Sequence, residues 1–155
     1  MKRILSLFPV LCLLSTISLA AATKGPEPLH ISQGEKVNLA DYLVPGKIVV
    51  FDFTSKYCGP CQRYNGPLQT LHAKRDDVVV VKVDINRPDV KGIDWRSPVA
   101  AQFELHSIPH FKVYSPAGKL IAEDKVVIAN NQIDRAASSQ AGRQMVDGMI
   151  SKLDN

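Results

Sequence analysis

The length and composition of the chain fit one globular domain. It has 155 residues, of which 45% are hydrophobic, and this is enough to bury a core without structural disulfides. The formal charge of +4 is only a mild excess, so it does not argue for nucleic acid or a strongly acidic protein as the partner.

The first 22 residues have the pattern of a secretory signal peptide. A positive start is followed by an apolar run from Ile4 to Leu19 and by small residues up to Ala22. We expect cleavage after Ala20 or Ala22, because the apolar run is too short for a retained membrane anchor. The mature protein, residues 23–155, is then predicted to be a single exported domain without stable membrane insertion. We favour the periplasm as its location, although secretion from another cell type would leave the same leader.

A strand buried on both faces is predicted over Ile48–Phe53, an apolar run that is broken only by Asp52. The preceding residues 23–38 contain glycines and prolines and show little periodicity, which predicts irregular structure or an edge strand. The buried strand leads directly into the sequence Tyr57-Cys58-Gly59-Pro60-Cys61.

Cys58 and Cys61 can close into a small, reversible disulfide. The third cysteine, Cys12, lies in the predicted leader, so the remaining pair is more plausibly chemical than structural. The first cysteine of such a motif usually begins a helix, where unpaired N–H groups and the helix dipole favour its thiolate. Cys58 is therefore the predicted nucleophile. Cys61, about one turn later, is the predicted resolving cysteine.

Further elements follow in the middle of the chain. Apolar residues at helical spacing continue the helix to about Ala73, and the β-branched run Val78–Val83 predicts the next strand. The polar segment Asn86–Pro98 is predicted to be a surface excursion before a short helix over Val99–Phe103. Trp95 is either a recognition surface or a local core plug, and we favour the plug.

The last third of the chain predicts a hairpin and a closing helix. Strands over Phe111–Tyr114 and Lys119–Val127 flank the turn sequence Ser115-Pro116-Ala117-Gly118. From Ile133 to Leu153, apolar residues recur at a spacing that suits one amphipathic helix.

This order of elements resembles the thioredoxin superfamily over nearly all of the mature chain. Cys-Gly-Pro-Cys is the motif of the thioredoxins proper, and Asp52 stands six residues before its first cysteine, as in that family. Lys82 and Asp84 match a Lys and an Asp at the end of the next strand. Ile108-Pro109 matches the family's cis-proline. The resemblance implies an α/β thioredoxin fold, a central mixed β-sheet flanked by helices, with an extended segment before the cis-proline.

The resemblance also gives roles to two charged residues. A buried Asp52 would have a raised pKa and could exchange a proton with the Cys61 thiol, while Lys82 modulates Asp52. The alternatives are that Asp52 is a strand-end carboxylate capped by backbone and that Lys82 is a solvated strand residue.

Substrate contacts are expected around the cis-proline. The backbone of Ile108 before cis-Pro109 would pair with an extended substrate as an added strand. The exposed part of the motif, Tyr57, Gly59 and Pro60, would contact the same substrate. His110 stands next to the cis-proline, where it either stabilises the Cys58 thiolate and selects partners or is an exposed strand histidine without a role.

The predicted function is that of an exported thiol–disulfide oxidoreductase, an enzyme that reduces disulfides in cell-envelope proteins. Its partners would be protein disulfides and a membrane thiol-transfer protein as electron donor. We expect a monomer without cofactor, metal or nucleic acid. A zinc site needs a second pair of ligands, which the sequence does not supply. Two alternatives stay open: a disulfide oxidase or isomerase, and a thioredoxin-fold binding or chaperone module without redox turnover.

Overall fold

The computed structural model describes residues 22–153, which form a mixed β-sheet covered by helices. Within this range the strands are β1 Leu29–Ile31, β2 Ile48–Thr54, β3 Val78–Asp84, β4 His110–Tyr114, β5 Leu120–Ala129 and β6 Gln132–Gln140. The α-helices are α1 Gly59–Lys74, α2 Pro98–Gln102 and α3 Ala141–Ile150, and short 3-10 helices cover Leu39–Tyr42 and Ser151–Leu153. The predicted mixed sheet flanked by helices is confirmed.

The central strand of the sheet is β2, which pairs with β3 on one side and β4 on the other. The strand order is β1-β3-β2-β4-β5-β6; the first three are mutually parallel, and each later strand is antiparallel to its neighbour. Both β2 and β3 are rich in β-branched residues and almost wholly buried, as expected for strands covered on both faces. The register places Asp52 between Lys82 and Phe111.

Alternate residues of the strands face two separate cores. Phe53 of β2 belongs to the core covered by α2 and the first 3-10 helix. Val50 belongs to the opposite core, where Leu68 of α1 and Val146 of α3 pack. Because Asp52 lies two residues after Val50 on the same strand, its side chain points towards the face that α1 and α3 cover.

The predicted closing helix over Ile133–Leu153 is wrong in its first part. Residues Gln132–Gln140 form β6, which pairs with β5, and α3 begins only at Ala141. The cause is a tight turn at Asn130 and Asn131, whose φ angles are 50° and 60°. Asparagine tolerates this left-handed backbone, which two-residue hairpin turns favour because it matches the twist of the strands.

The predicted signal peptide lies outside the described residues, apart from Ala22. Its cleavage and the boundaries of the mature domain therefore stay predictions. Among residues 22–153, no helix is both long enough and apolar enough to cross a lipid bilayer.

Asp124 holds the start of α3 against the sheet. Its Oδ2 accepts a hydrogen bond from the Phe111 N–H at 3.0 Å, and its Oδ1 accepts one from the Arg143 N–H at 2.9 Å. Gly142 permits this close approach, because a Cβ at that position would lie 2.4 Å from the Phe111 carbonyl oxygen. Arg143 also donates to the Pro109 carbonyl at 2.9 Å. The helix thus supports the chain at the start of β4.

Gly142→Ala should lower the free energy of unfolding by about 2 kcal/mol or more, since the added methyl group overlaps a strand carbonyl. Gly148 provides a matched control in the same helix, because a Cβ there meets no heavy atom within 4 Å. Gly148→Ala should leave stability unchanged or raise it by up to about 1 kcal/mol through helix propensity. Urea unfolding measures both variants, and equal changes would contradict the close packing of Gly142.

Candidate active site

The Cys58–Cys61 pair lies at the N-terminus of α1. The two sulfur atoms form a disulfide with an S–S distance of 1.98 Å. Cys58 is the N-cap residue, and its Sγ accepts a hydrogen bond from the Cys61 N–H at 3.1 Å. Pro60 lies in the first turn, where its missing N–H leaves no helical hydrogen bond unmade. The partial positive charge of the helix start therefore acts on the sulfur of Cys58.

The backbone of Ile108 lies beside the disulfide. The peptide bond between Ile108 and Pro109 is cis. The Ile108 carbonyl oxygen is 3.7 Å from the Sγ of Cys58, a distance at which the reduced thiol can donate a weak hydrogen bond. The residue before the cis-proline and the first cysteine are thus direct neighbours, although 50 positions separate them in the chain.

Three residues of the motif form an exposed rim around the disulfide. Tyr57 is 41% exposed, and the Nζ of Lys56 lies 5.2 Å from the centre of its ring, within the range of a cation–π contact. Gly59 and Pro60 are also exposed, whereas Cys58 and Cys61 are buried. A partner that reaches the disulfide therefore has to contact this rim.

Asp52 and Lys82 form a buried ion pair on the face that α1 covers. They are register partners on β2 and β3, and the Lys82 Nζ lies 3.1 Å from the Asp52 Oδ2. Asp52 has no exposed surface, and Lys82 is only 5% exposed. The alternative interpretation of Lys82 as a solvated strand residue is therefore wrong.

Burial controls the titration of Asp52. It raises the pKa of the carboxyl group, and the charge and hydrogen bond of Lys82 oppose this rise without cancelling it. Among the described residues, the Asp52 Oδ1 has no hydrogen-bond partner. A raised carboxyl pKa lies closer to the pKa of a thiol.

Lys82 links the buried carboxylate to the protein surface. Besides its contact with Asp52, its Nζ donates to the Asn65 Oδ1 at 2.8 Å. Lys82 and Asn65 line a surface cavity of about 330 Å³ together with His30 and Gln69. Within this ion pair, Asp52 is fully enclosed and Lys82 lies at the boundary with solvent.

A buried serine orders the turn before the disulfide. The Ser55 carbonyl accepts hydrogen bonds from the Cys58 N–H at 3.0 Å and from the Gln62 side chain at 3.2 Å. Its hydroxyl accepts from the Tyr57 N–H at 3.2 Å and donates to the Asn86 Oδ1 at 2.5 Å. Our sequence reasoning missed Ser55 and Asn86, because 31 positions separate them and neither belongs to a recognisable motif.

The segment Asn86–Pro98 lies largely at the surface, as predicted, and is anchored by buried polar groups. The Asn86 amide donates to the Gly92 carbonyl at 2.6 Å, and Asp94 accepts from the Arg87 guanidinium at 2.7 Å. Asn86 and Asp94 are 5% and 4% exposed. Through Asn86 and Ser55, this segment is connected to the turn that carries the disulfide.

Trp95, in contrast, is not a core plug. Its side chain is 42% exposed, which overturns the interpretation that we favoured. It lines a surface cavity of about 380 Å³ together with Leu105 and His106. Buried Asp94 holds the backbone at this point, so the indole does not have to fill the core.

His110 is buried, so the interpretation as an exposed strand histidine is wrong. It is 5% exposed, and its ring packs edge-on against Phe53 with 5.5 Å between ring centres. Within residues 22–153, its Nε2 has no hydrogen-bond partner. Burial, helped by the charge of Lys112, lowers the pKa of His110 to about 4. The ring is therefore neutral near pH 7 and supplies no positive charge to the Cys58 thiolate.

A sequence model of the thioredoxin family matches residues 34–139, more than half of the chain. The chain belongs to the thioredoxin family. Thioredoxin from Geodia cydonium is 32% identical over 77 residues, which cover 50% of this chain and 64% of that protein. Chloroplastic thioredoxin F1 from Arabidopsis thaliana is 30% identical over 102 residues, which cover 66% of this chain and 51% of that protein.

Thioredoxin F from spinach chloroplasts, in its short form, has a similar fold. The TM-score is 0.51 at 16% identity, and the match covers 86% of this chain and 98% of that one. The predicted thioredoxin fold is thereby confirmed. The matched part of the chain spans between half and two thirds of the two thioredoxin relatives from Geodia and Arabidopsis.

Asp52→Asn should raise the free energy of unfolding more at pH 8 than at pH 4. As the pH rises above about 4, the unfolded chain loses the Asp52 proton before the folded thioredoxin does, so burial of the carboxylate costs folding free energy. The neutral amide escapes this cost, and its oxygen still accepts a hydrogen bond from Lys82. Urea unfolding of the oxidised protein at both pH values measures the difference. A larger gain at pH 4 than at pH 8 would contradict the raised pKa.

Proposed function

We propose that the protein is a thiol–disulfide oxidoreductase that reduces disulfides of cell-envelope proteins outside the cytosol. The observation that carries the proposal is the position of the Cys58–Cys61 disulfide. It begins α1, lies beside the Ile108 carbonyl and shares the α1 side of the sheet with buried Asp52. Family membership supports the same chemistry.

The first step uses the reduced form of the protein. The Cys58 thiolate attacks one sulfur of the client disulfide, so that the client's S–S bond breaks and a mixed disulfide with Cys58 forms. One client cysteine leaves as a thiolate and takes up a proton. The start of α1 favours the attacking thiolate, because the Cys61 N–H already donates a hydrogen bond to the Cys58 sulfur.

The second step releases the client. Cys61 loses its thiol proton to the Asp52 carboxylate and attacks the Sγ of Cys58, which breaks the mixed disulfide. The second client cysteine leaves as a thiolate, and the Cys58–Cys61 disulfide of the present structure results. Two electrons pass to the client in total. Lys82 holds the Asp52 carboxylate in place through its 3.1 Å contact and limits the rise of its pKa.

The client is expected to bind as an extended segment. Its backbone would pair with the Ile108 backbone beside cis-Pro109, and its side chains would contact Tyr57, Gly59 and Pro60 on the exposed rim. The buried ring of His110 packs against Phe53 in the protein interior, behind the Ile108 backbone, and does not face a partner. It therefore shapes the site without contacting the client.

The proposed location and electron donor rest on the sequence. The pattern of residues 1–22 supports export to the periplasm, where a membrane thiol-transfer protein would return the Cys58–Cys61 disulfide to the dithiol. The Gly-Pro pair between the cysteines is typical of reductants and favours this direction over disulfide oxidation.

Insulin reduction with dithiothreitol as the electron source tests the proposed chemistry. Wild-type protein should accelerate reduction, and Cys58→Ser should abolish the acceleration because the nucleophile is lost. When it is reduced, freed of dithiothreitol and then mixed with insulin, Cys61→Ser should form the mixed disulfide but not resolve it, so a covalent complex should appear on non-reducing gels. Undiminished activity of Cys58→Ser would overturn the proposal, and the absence of any acceleration by the wild type would favour a binding or chaperone module.

A further inference from the structure

The hairpin of β5 and β6 extends beyond the sheet at the edge where the disulfide lies. Both β2 and β5 are antiparallel to β4, so their C-terminal ends meet at the same edge of the sheet. The register pairs Lys112 with Glu123, and β4 begins at His110. The part of β5 after Lys125 therefore lies past the start of β4 and pairs with β6.

A cleft lies between this extension, the start of α3 and the loop before the cis-proline. It has a volume of about 500 Å³, and we call it the hairpin cleft; the side chains that matter here are Ser107, Lys125, Arg135, Ser138, Arg143 and Gln144. Ser107 directly precedes Ile108, whose carbonyl contacts the Cys58 sulfur. A segment bound at Ile108 can therefore continue into the hairpin cleft.

The hairpin cleft is positively charged. Three cations line it, Lys125, Arg135 and Arg143, and the only carboxylate among the described lining residues is Asp124. Asp124 is 4% exposed, and its oxygens accept the Phe111 and Arg143 backbone N–H groups. Lys125 and Arg135 are exposed and have no ion-pair partner within residues 22–153. Three cations therefore face one carboxylate among the described lining residues, which leaves the hairpin cleft with a net positive charge.

Two further carboxylates near the hairpin cleft are hydrogen-bonded within the protein. Asp134 of β6 accepts hydrogen bonds from the Ala136 and Ala137 N–H groups. Asp147 of α3 accepts one from the Tyr64 hydroxyl at 2.9 Å. Neither of them lines the hairpin cleft, so the net positive charge belongs to the lining itself.

We propose that the hairpin cleft binds an acidic segment of the client protein. This segment would lie next to the client disulfide that the enzyme reduces. This inference rests on the proposed function and adds to it a selection among clients by charge. The carboxylates of such a segment would pair with Lys125 and Arg135 and draw the client disulfide towards Cys58. A second copy of the chain is disfavoured as occupant, because the mature chain is itself positive and would bring like charge to the cleft.

Two labelled peptides that differ only in charge test the proposal. One carries Asp and Glu beside a single disulfide, and the other carries Lys at the same positions. Versions with Ser in place of Cys report binding alone, measured by fluorescence anisotropy with the oxidised protein, and the disulfide versions report the rate of reduction. Wild-type protein should bind and reduce the acidic peptide roughly fivefold or more better at low ionic strength. The preference should shrink in 0.5 M salt, at an ionic strength where the Debye length is only about 4 Å.

A charge-matched pair of variants localises the effect. Lys125→Gln combined with Arg135→Gln should remove most of the preference. Lys74→Gln combined with Lys119→Gln removes the same charge from the other end of the sheet, since α1 starts at the disulfide and ends at Lys74, and Lys119 lies in the turn after β4. This control should keep the preference.

The outcomes separate the inference from the proposed function. If the wild type shows no preference in binding, or if the control variant loses the preference equally, the hairpin cleft is not the client site. Self-association that the cleft variant abolishes, without binding of the acidic peptide, would also overturn the inference. If the acidic Ser peptide binds through the cleft but no disulfide is reduced, the cleft stands and the proposed oxidoreductase function fails.

Discussion

The pairing of β2 with β3 and β4 is the constraint on which the rest of the structure depends. It places Asp52 opposite Lys82 on one side and Phe111 on the other, and it carries the chain from Thr54 directly into the disulfide turn. A shift by one residue would turn Asp52 to the opposite face of the sheet, away from α1. The burial of β2 on both faces prevents such a shift, because apolar side chains from both of its faces fill the two cores.

The site combines groups from distant parts of the chain. An ion pair and several hydrogen bonds hold these groups in place on the sheet. Asp52 and Lys82 are charges in a nearly dry interior, which is tolerated because they pair at 3.1 Å. Ser55 lies in the turn before Cys58, and its hydroxyl is held by Asn86, which follows the end of β3. Asp124 and Arg143 tie α3 to the start of β4 beside cis-Pro109. Together these contacts hold the disulfide and the Ile108 backbone in a fixed relation.

The sequence was sufficient where a local pattern determines the structure. The apolar runs at β2 and β3 and the Cys58–Cys61 motif at a helix start depend on neighbouring residues, and family resemblance added Asp52 and Pro109. It failed at one local turn and where distant contacts decide the burial of a side chain. Asn130 and Asn131 end β5 in a tight turn. The residues after them have apolar side chains at helical spacing, and this pattern led to the wrong prediction of a helix over β6. The burial of His110 depends on the packing of Phe53 and Phe103 across the sheet. The exposure of Trp95 follows from the Asp94 anchor, which the sequence does not reveal.

The stabilisation of the Cys58 thiolate determines the direction of electron flow. A strong oxidant keeps its reduced form especially stable, whereas Cys58 accepts one N–H hydrogen bond, from Cys61, and neutral His110 adds no positive charge. Equilibration of the protein with dithiothreitol buffers of defined potential, followed by quantification of the Cys58–Cys61 disulfide, gives the reduction potential of the couple. A value of about −270 mV is expected for a reductase, and a value near about −120 mV would contradict this and mark a disulfide oxidase.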